Sequence, residues 1–459
     1  MTQDVFVNRT LNLKKIQYIG FDMDHTLIRY RSQNFEALVH KMVLNKLVKE
    51  RKYPEEILSL QFEYDRVIRG LVIDRKNGNL LKLNRYSGIR LSYHGTHKID
   101  FATQKKFYKS IYIDLSDPKY LAIDTAFSVS LALLFAQLVD AKEAAPKNLP
   151  SFEIIAKDIE ECVDGVHADG TLKAKVAENL GDYIVGDAEV VKLLERYKRH
   201  GKKLFILTNS HYPYAKLLMD YAIKPYLTDH KEWMDLFDFT ITGAKKPKFF
   251  YEKGTFSKIN PKDESLSPHE GPLVKGIYEG GCSSLFTQGT GVDGEDILYI
   301  GDHIYGDILR VKKSVYWRTA LVVEELHNEV KKLADMRKTD RKIAEFMTKK
   351  RVLEEHVVDM LTKNKDEGTP VNEEELHYDQ KKITDIDKEI GGLITVREEV
   401  FNKYWGETMR AGAEESYFAY QVERFACIYM SELKSLLRCS PRTYFRAFKR
   451  TLPHEIFED

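Results

Sequence analysis

Two aspartates separated by one residue, Asp22 and Asp24, follow the apolar run Ile16-Gln-Tyr-Ile-Gly-Phe21. A run of that kind fills a buried strand, and ligands of an open α/β sheet bind at the strands' carboxyl ends. One carboxylate could attack phosphorus while the other handles protons, provided a divalent cation suppresses their repulsion. The triplet alone is weak, because turns and helix caps are also rich in aspartate. Its companions decide between the two readings.

Three later segments supply them. Leu204-Phe-Ile-Leu-Thr208-Asn209-Ser210 ends in hydroxyls and an amide suited to phosphate oxygens. Phe239-Thr-Ile-Thr-Gly-Ala-Lys-Lys246 sets a lysine after another apolar run, where a fixed ammonium offsets charge on a phosphoryl group in transfer. Ile297-Leu-Tyr-Ile-Gly-Asp302-His-Ile-Tyr-Gly-Asp307 adds two carboxylates. Magnesium takes oxygen ligands, commonly one or two carboxylates with water and phosphate oxygens, which Asp22 and Asp302 satisfy. Singly, these are a helix cap, a surface lysine and an Asp-rich turn. In order, each straight after a buried-strand pattern, they are improbable as independent accidents.

The elements that must carry these residues are short apolar runs at Tyr18–Phe21, Leu204–Leu207, Phe237–Thr242, Ile297–Ile300 and Thr319–Val323. They read as strands of a doubly wound, mainly parallel α/β sheet, with a crossover helix over Tyr214–Tyr221. The gap of about 180 residues between the first two strands is far too long for a crossover. An inserted domain, residues 31–185, is therefore expected to cap the sheet's carboxyl edge, leaving 1–30 and 186–324 as the core. The insert opens on the amphipathic stretch Asn34–Glu50 and carries a hairpin signal at Asp74-Arg-Lys-Asn-Gly-Asn79. A break at Glu143–Pro150 precedes helical patterns over Phe152–Asp164 and Leu172–Leu180.

Residues 253–295 hold eight glycines and read as a loop or hairpin excursion. Beyond Glu324, one helical stripe runs from Leu326 to Met360 and another from Ile383 to Val396, with a turn at Lys363–Asn372. A long antiparallel helical hairpin follows, within an extension (325–459) packing on the core or on another subunit. Arg442-Thr-Tyr-Phe-Arg-Ala-Phe-Lys-Arg450 fits an amphipathic helix with basic edges better than a nucleic-acid contact.

Composition bounds the partners. In 459 residues, 31% charged and 43% hydrophobic with a net charge of +1, no basic field draws the chain to nucleic acid or membrane. The amino terminus lacks the apolar core of a secretory signal, and the longest apolar stretch, Ala126 to Val139, is too short to span a bilayer. Cysteines 162, 282, 427 and 439 form no CxxC pair, which suits free thiols in a cytoplasmic protein. No Gly-x4-Gly-Lys-Ser/Thr loop occurs.

This set resembles the haloacid dehalogenase (HAD) superfamily. More specifically, Val5-Phe-Val-Asn-Arg9, Gly20-Phe-Asp-Met-Asp24, Arg69-Gly-Leu-Val72, Gly78-Asn-Leu-Leu-Lys82, Lys246-Pro-Lys-Phe-Phe250 and Asp296-Ile-Leu-Tyr-Ile-Gly-Asp-His303 resemble the cytosolic purine 5′-nucleotidase family of the IMP-GMP specific type. Met409-Arg-Ala-Gly412 and Leu452-Pro-His454 extend the resemblance toward the carboxyl terminus. It implies a HAD-like sheet with a large cap and a phosphoric monoester hydrolase acting on IMP and GMP. Asp22 would be the nucleophile, and Asp24 the acid and then the base. Mg2+ would sit among Asp22, the Asp24 carbonyl and Asp302. Thr208, Asn209, Ser210 and Lys246 would hold phosphate, and Asp307 would orient Lys246.

In Asp164-Gly-Val-His167-Ala-Asp-Gly-Thr-Leu-Lys173, the resemblance puts Asp164 and His167 near the purine or ribose and Lys173 at the phosphate. It further implies a nucleotide effector near Tyr305 and Lys313, phosphoryl transfer to a nucleoside hydroxyl, and a homo-oligomer, tetramer or dimer. Two departures stand out. Glu160 replaces an expected arginine, and Ala141 stands where the resemblance expects an aromatic near the cap's pocket, after Leu138-Val-Asp140. A phosphatase of sugar phosphates and a non-catalytic scaffold are the alternative readings.

Overall fold

The computed structural model describes residues 4–108, 112–125, 128–449 and 451–455. Residues 1–3, Ala126 of the apolar stretch and Arg450 of the basic segment lie outside them. The main sheet has ten strands: β1 (Val5–Val7), β2 (Tyr18–Phe21), β3 (Lys203–Leu207), β4 (Phe239–Thr242), β5 (Phe256–Ile259), β6 (Leu266–His269), β7 (Gly276–Gly280), β8 (Ile297–Gly301), β9 (Arg318–Val322) and β10 (Ile428–Met430). Their spatial order is β1-β10-β9-β8-β2-β3-β4-β7-β5-β6. From β10 to β7 in that order every pair is parallel, and β1, β5 and β6 join the two margins antiparallel. The chain winds outward from β2 in both directions, so β2 and β8 flank the switch point where such sheets bind ligands.

All five strands expected from the apolar runs lie in this sheet, within two residues at each end. β2, β4 and β8 are buried along their whole length, as continuous apolar runs covered on both faces should be. Beneath them Phe205, Phe250, Phe286, Tyr299 and Trp317 interlock, with Phe205 and Phe286 ring centroids 4.7 Å apart. Gly20 makes room for this cluster, because a Cβ there would fall 2.2 Å from the Phe205 ring. The glycine in the run that delivers Asp22 is thus a packing requirement.

Residues 31–185 build on a second sheet of five antiparallel strands, ordered His97–Lys98, Ile89–His94, Asn79–Leu83, Leu71–Asp74 and Tyr120–Ala122. The expected hairpin is the pairing of Leu71–Asp74 with Asn79–Leu83. Helices Ser32–Arg51, Val129–Ala144, Phe152–Ala168 and Thr171–Glu178 accompany it. The apolar stretch is the second of these helices, buried from Val129 to Val139. Among the described residues no helix is long and apolar enough to cross a membrane. The insert leaves and rejoins the core through a two-stranded antiparallel ribbon, Arg29–Tyr30 with Ile184–Val185.

The glycine-rich segment carries the expected hairpin and more. It contains the β5–β6 hairpin, strand β7 of the main sheet, and a helix at Ser283–Thr290. Glycines within and beside β7 erase the periodicity that would have revealed it.

The carboxyl-terminal region carries the expected antiparallel helical hairpin and departs from expectation beyond it. Glu325–Glu407 forms a compact unit of its own. Its helices Leu326–Glu367 and Glu373–Phe401 run antiparallel, joined by ion pairs Arg397–Asp340 at 2.6 Å, Lys350–Asp387 at 2.7 Å and His356–Asp379 at 2.7 Å. The helical extension does not continue to the end of the chain. From Thr408 the chain belongs to the larger unit, where β10 slots between β9 and β1, and Tyr444–Phe445 pairs with Leu11–Asn12. A three-residue strand such as Ile428-Tyr-Met430 is too short to show a period. The basic segment after Arg442 is accordingly not an amphipathic helix: it makes that two-residue strand, and Phe448 stands in solvent.

Candidate active site

Strand pairing carries straight into the chemistry. The Asp22 N–H donates to the Ile300 carbonyl at 2.8 Å, so the β2–β8 ladder fixes the Asp22 backbone where both strands end. Asp302 follows β8, and one oxygen each from Asp22, Asp302 and Asp307 converge within 4.8 Å of one another. Lys246, on the loop after β4, reaches into this group. Its Nζ donates to Asp22 Oδ1 at 2.8 Å, to Asp307 Oδ1 at 2.7 Å and to the Tyr299 hydroxyl at 2.9 Å. All three ammonium protons are engaged. Gly301 permits the approach of Asp307, since a Cβ on it would meet the Asp307 Cβ at 2.5 Å.

The charges do not cancel. Burial lifts the Asp22 carboxyl well above its usual range against the pull of Lys246, and Asp307, Asp302 and Asp24 push the same way as burial. Burial also raises Asp302, opposed by His25. Burial works against the Lys246 ammonium, yet Asp22 and Asp307 hold it above the ordinary lysine range. Carboxylate exceeds ammonium here, and Asp302 Oδ2 is buried with no hydrogen-bond partner among the described residues. An all-oxygen donor set with surplus negative charge fits a hard divalent cation such as Mg2+.

Asp24 points elsewhere. Tyr30 donates its hydroxyl to Asp24 Oδ1 at 2.7 Å and Ser210 donates to Oδ2 at 3.1 Å. Thr208 is fully buried, and its Oγ1 accepts from the Ser210 N–H at 3.1 Å. Asn209 grips the lysine loop: its carbonyl accepts from the Lys246 N–H at 2.5 Å and its amide donates to the Lys246 carbonyl at 3.0 Å. The hydroxyls and amide after β3 therefore brace Asp24 and the lysine loop.

Above lies a cavity of about 730 Å³ whose walls include Asp124, Glu160, Asp164, His167, Lys173, Asn209 and His303. Ser151 caps the helix Phe152–Ala168, accepting from the Ile154 N–H. Spacings of four and three residues then bring Glu160, Asp164 and His167 to one face of it. Burial pulls His167 down to about 4, so its imidazole is neutral. Lys173 lies 5.2 Å over the Tyr214 ring.

Glu160, the first departure, is tied to Arg75 at 2.8 Å. The second departure is corrected. The helix Val129–Ala144 meets the cavity at its first turn, through Ser128 and Leu131. Between Ser128 and Ala141 the helix rises about 20 Å. Ala141 is thus no member of the cavity wall, and its neighbour Asp140 binds the Thr96 N–H at 3.1 Å. Tyr305 carries the Arg310 guanidinium over its ring at 4.8 Å, and Lys313 lies 5.5 Å over the Phe425 ring.

Sequence reasoning missed Tyr30, Tyr299 and Arg69 as parts of this site. Arg69 is buried and donates to the Asp302 carbonyl at 2.9 Å. Its signal was present, an arginine inside the Arg69-Gly-Leu-Val72 motif, but nothing in the spacing ties it to Asp302.

A profile of the 5′ nucleotidase family matches residues 5–457. A 5′-nucleotidase domain-containing protein of Dictyostelium discoideum is 29% identical over 462 residues, covering 99% of this chain and 75% of that protein. Among solved structures, a predicted phosphoglycolate phosphatase from Haemophilus somnus 129PT shares 14% identity over 67% of this chain and 86% of its own, with a TM-score of 0.29. A HAD phosphatase from Thermococcus onnurineus shares 14% identity over 67% and 87%, with a TM-score of 0.27. Membership rests on the full-length family match rather than on these superpositions. The chain belongs to the 5′ nucleotidase family and is a phosphoric monoester hydrolase.

Proposed function

We propose that the chain is a Mg-dependent 5′-nucleotidase that hydrolyses purine nucleoside 5′-monophosphates, IMP and GMP above all, through an aspartyl-phosphate on Asp22. The observation that carries this reading is Lys246, bonded at once to Asp22 and Asp307 beside the partnerless Asp302 oxygen. An Asp22 oxygen bonds to phosphorus as the bond from phosphorus to the 5′-oxygen breaks. Asp24 gives its proton to that oxygen. It then takes one from the water that attacks the aspartyl-phosphate, which frees phosphate and restores Asp22. Lys246 keeps the phosphoryl charge opposed by an ammonium fixed in advance. Asp22, Asp302 and the Asp24 carbonyl would hold a Mg2+, which supplies charge neutralisation around the phosphoryl oxygens.

The preference for 6-oxopurines rests on the family resemblance and on Asp164, a carboxylate on the cavity wall able to accept from a purine N–H. Residues 31–185 act as the cap that sets this preference. The same intermediate could pass its phosphoryl group to the hydroxyl of inosine. A sugar-phosphate phosphatase is the second reading, favoured by the ion pair that ties up Glu160 where a base-binding arginine was expected. A nucleotide effector near Tyr305 and Lys313, a homo-oligomer and a cytoplasmic location complete the proposal, the last supported by four free cysteines.

A nucleotide panel with Mg2+, with and without inosine, tests it. IMP and GMP should release phosphate at least about tenfold faster than ribose 5-phosphate. Asp22→Asn should lose about 10⁴-fold in kcat while still binding IMP, because nucleophile and partners act as a unit. Equal turnover of IMP and ribose 5-phosphate would favour the second reading, and a wild-type rate in Asp22→Asn would remove Asp22 from the role.

A further inference from the structure

We propose that Tyr299 is a positioning residue that holds the Lys246 ammonium in place while the phosphoryl group is transferred. The inference rests on the reading of Lys246 as the counter-charge to that group. Lys246 Nζ donates to the Tyr299 hydroxyl at 2.9 Å, and the hydroxyl donates in turn to the Leu207 carbonyl at 3.0 Å. Asp307 Oδ1 lies farther from the hydroxyl, at 3.4 Å. Leu207 ends β3, so one O–H ties the lysine to the strand from which Thr208, Asn209 and Ser210 follow.

Backbone and core together fix that hydroxyl. Tyr299 lies in the middle of β8, paired with Gly20 of β2 on one side and with Thr319 of β9 on the other. Gly20 has no side chain, and the tyrosine crosses β2 to reach β3, the strand beyond it. The ring is fully buried, with centroids of Phe250 at 5.9 Å, Trp317 at 6.1 Å and Phe205 at 6.4 Å. A phenylalanine would fill the same space, so packing gives no reason for the hydroxyl. Tyr299 is not part of the cavity wall, and it acts through Lys246 and not on substrate.

The three acceptors of the ammonium differ in what the reaction does to them. When an Asp22 oxygen bonds to phosphorus, that carboxylate loses its charge and becomes a poorer acceptor for Lys246. The N–H aimed at Asp22 then turns to a phosphoryl oxygen. Asp307 and Tyr299 take no part in bond making, so their two hydrogen bonds keep Nζ where the charge develops. Without the hydroxyl, an N–H is left buried with no acceptor, or the ammonium turns to find one. Either outcome disturbs a group whose value lies in being fixed beforehand.

Tyr299→Phe keeps the ring and removes the hydroxyl. It should lower kcat about tenfold for IMP and for p-nitrophenyl phosphate alike, the scale of one hydrogen bond to a charged group. A smaller folded fraction would lower both rates too, and two further measurements separate the cases. The inhibition constant of orthovanadate, a phosphoryl-sized oxyanion, does not depend on how much of a preparation is folded, and it should rise about tenfold. In a Lys246→Met background Tyr299→Phe should cost under about twofold, because the hydroxyl has no ammonium left to hold. An unchanged vanadate constant, or a loss that recurs undiminished in the Lys246→Met background, overturns the Tyr299 assignment alone. A wild-type rate in Lys246→Met overturns the reading of the lysine on which it stands. Should Lys246→Met fail to fold, the vanadate constant of Tyr299→Phe decides by itself.

Discussion

The two ends of the proposed site are built on opposite plans. At the end proposed to hold phosphate, Asp22, Lys246, Asp302 and Asp307 follow buried strands, and the lysine spends all its donors inside the group. At the other end, Asp164 is an exposed residue on a helix face, and Glu160 is held by Arg75 from a different element. A rigid, interlocked group suits a step that all substrates share, because reacting atoms must be held closely in place. A looser wall of single side chains can be altered one residue at a time without disturbing that step. Chemistry and selectivity should therefore answer very differently to substitution.

The largest effect is expected where the interlocking is tightest. Lys246→Met removes three hydrogen bonds and leaves Asp22 and Asp307 facing each other without a counter-charge. Turnover of every substrate should fall about 10²- to 10³-fold, the worth of one preorganised electrostatic group. Stability should fall by roughly 3 kcal/mol, as for other buried pairs broken on one side. Steady-state rates and urea unfolding in EDTA read the two effects. A variant that loses rate on IMP but keeps it on p-nitrophenyl phosphate would break the comparison, because Lys246 would then belong to the selective end.

The two ends also differed in how much of them could be read in advance. Asp22, Lys246 and Asp302 each come just after an apolar run, and a run buried on both faces is a local signal. Tyr30 lies in a strand of two residues whose partner, Ile184, is reached only after the whole insert, so no window of sequence contains the pair. The Arg75–Glu160 link likewise joins a hairpin turn to a helix far along the chain. Ala141 was misplaced for a different reason: the residues before it suggested the cavity, but its helix enters the cavity at the opposite end. Strand β10 escaped because three residues carry no period, and that same brevity made the carboxyl-terminal segment look like more helix.

The insert also holds a titrating support. Glu36, on the first helix of the insert, accepts from the Ser130 N–H at 3.0 Å and from the Ser130 hydroxyl with the same oxygen, Oε2. Its Oε1 is buried with no hydrogen-bond partner among the described residues. Burial lifts its pKa to about 7, even though Ser130 pulls the other way. The folded value lies above the unfolded 4.5, so between them the folded chain binds more protons and stability falls as pH rises through that window. Glu36→Gln keeps an acceptor for Ser130 and removes the titration. It should stabilise the protein by up to roughly 3 kcal/mol at about pH 8 and by little near pH 4.5. Urea midpoints at the two pH values measure this; the same gain at both would mean that shape, not charge, is responsible.

The smallest effect belongs to the selective wall, and it should appear only as a ratio. Glu160→Arg puts a cation on the cavity wall and releases Arg75 from its ion pair. A cation there favours an acceptor at the purine 6-position, so kcat/KM for IMP over AMP should rise about tenfold, the scale of a single pocket contact. Arg75→Ala offers the opposite change, freeing the Glu160 carboxylate to accept from a 6-amino group and tilting the ratio toward AMP. Neither variant should alter the rate on p-nitrophenyl phosphate, which has no base to recognise. Ratios moving in opposite directions at a constant basal rate would locate base choice at this pair. A fixed ratio in both would move selectivity off this ion pair to the remaining wall, where Asp164 and His167 stand on the same helix face.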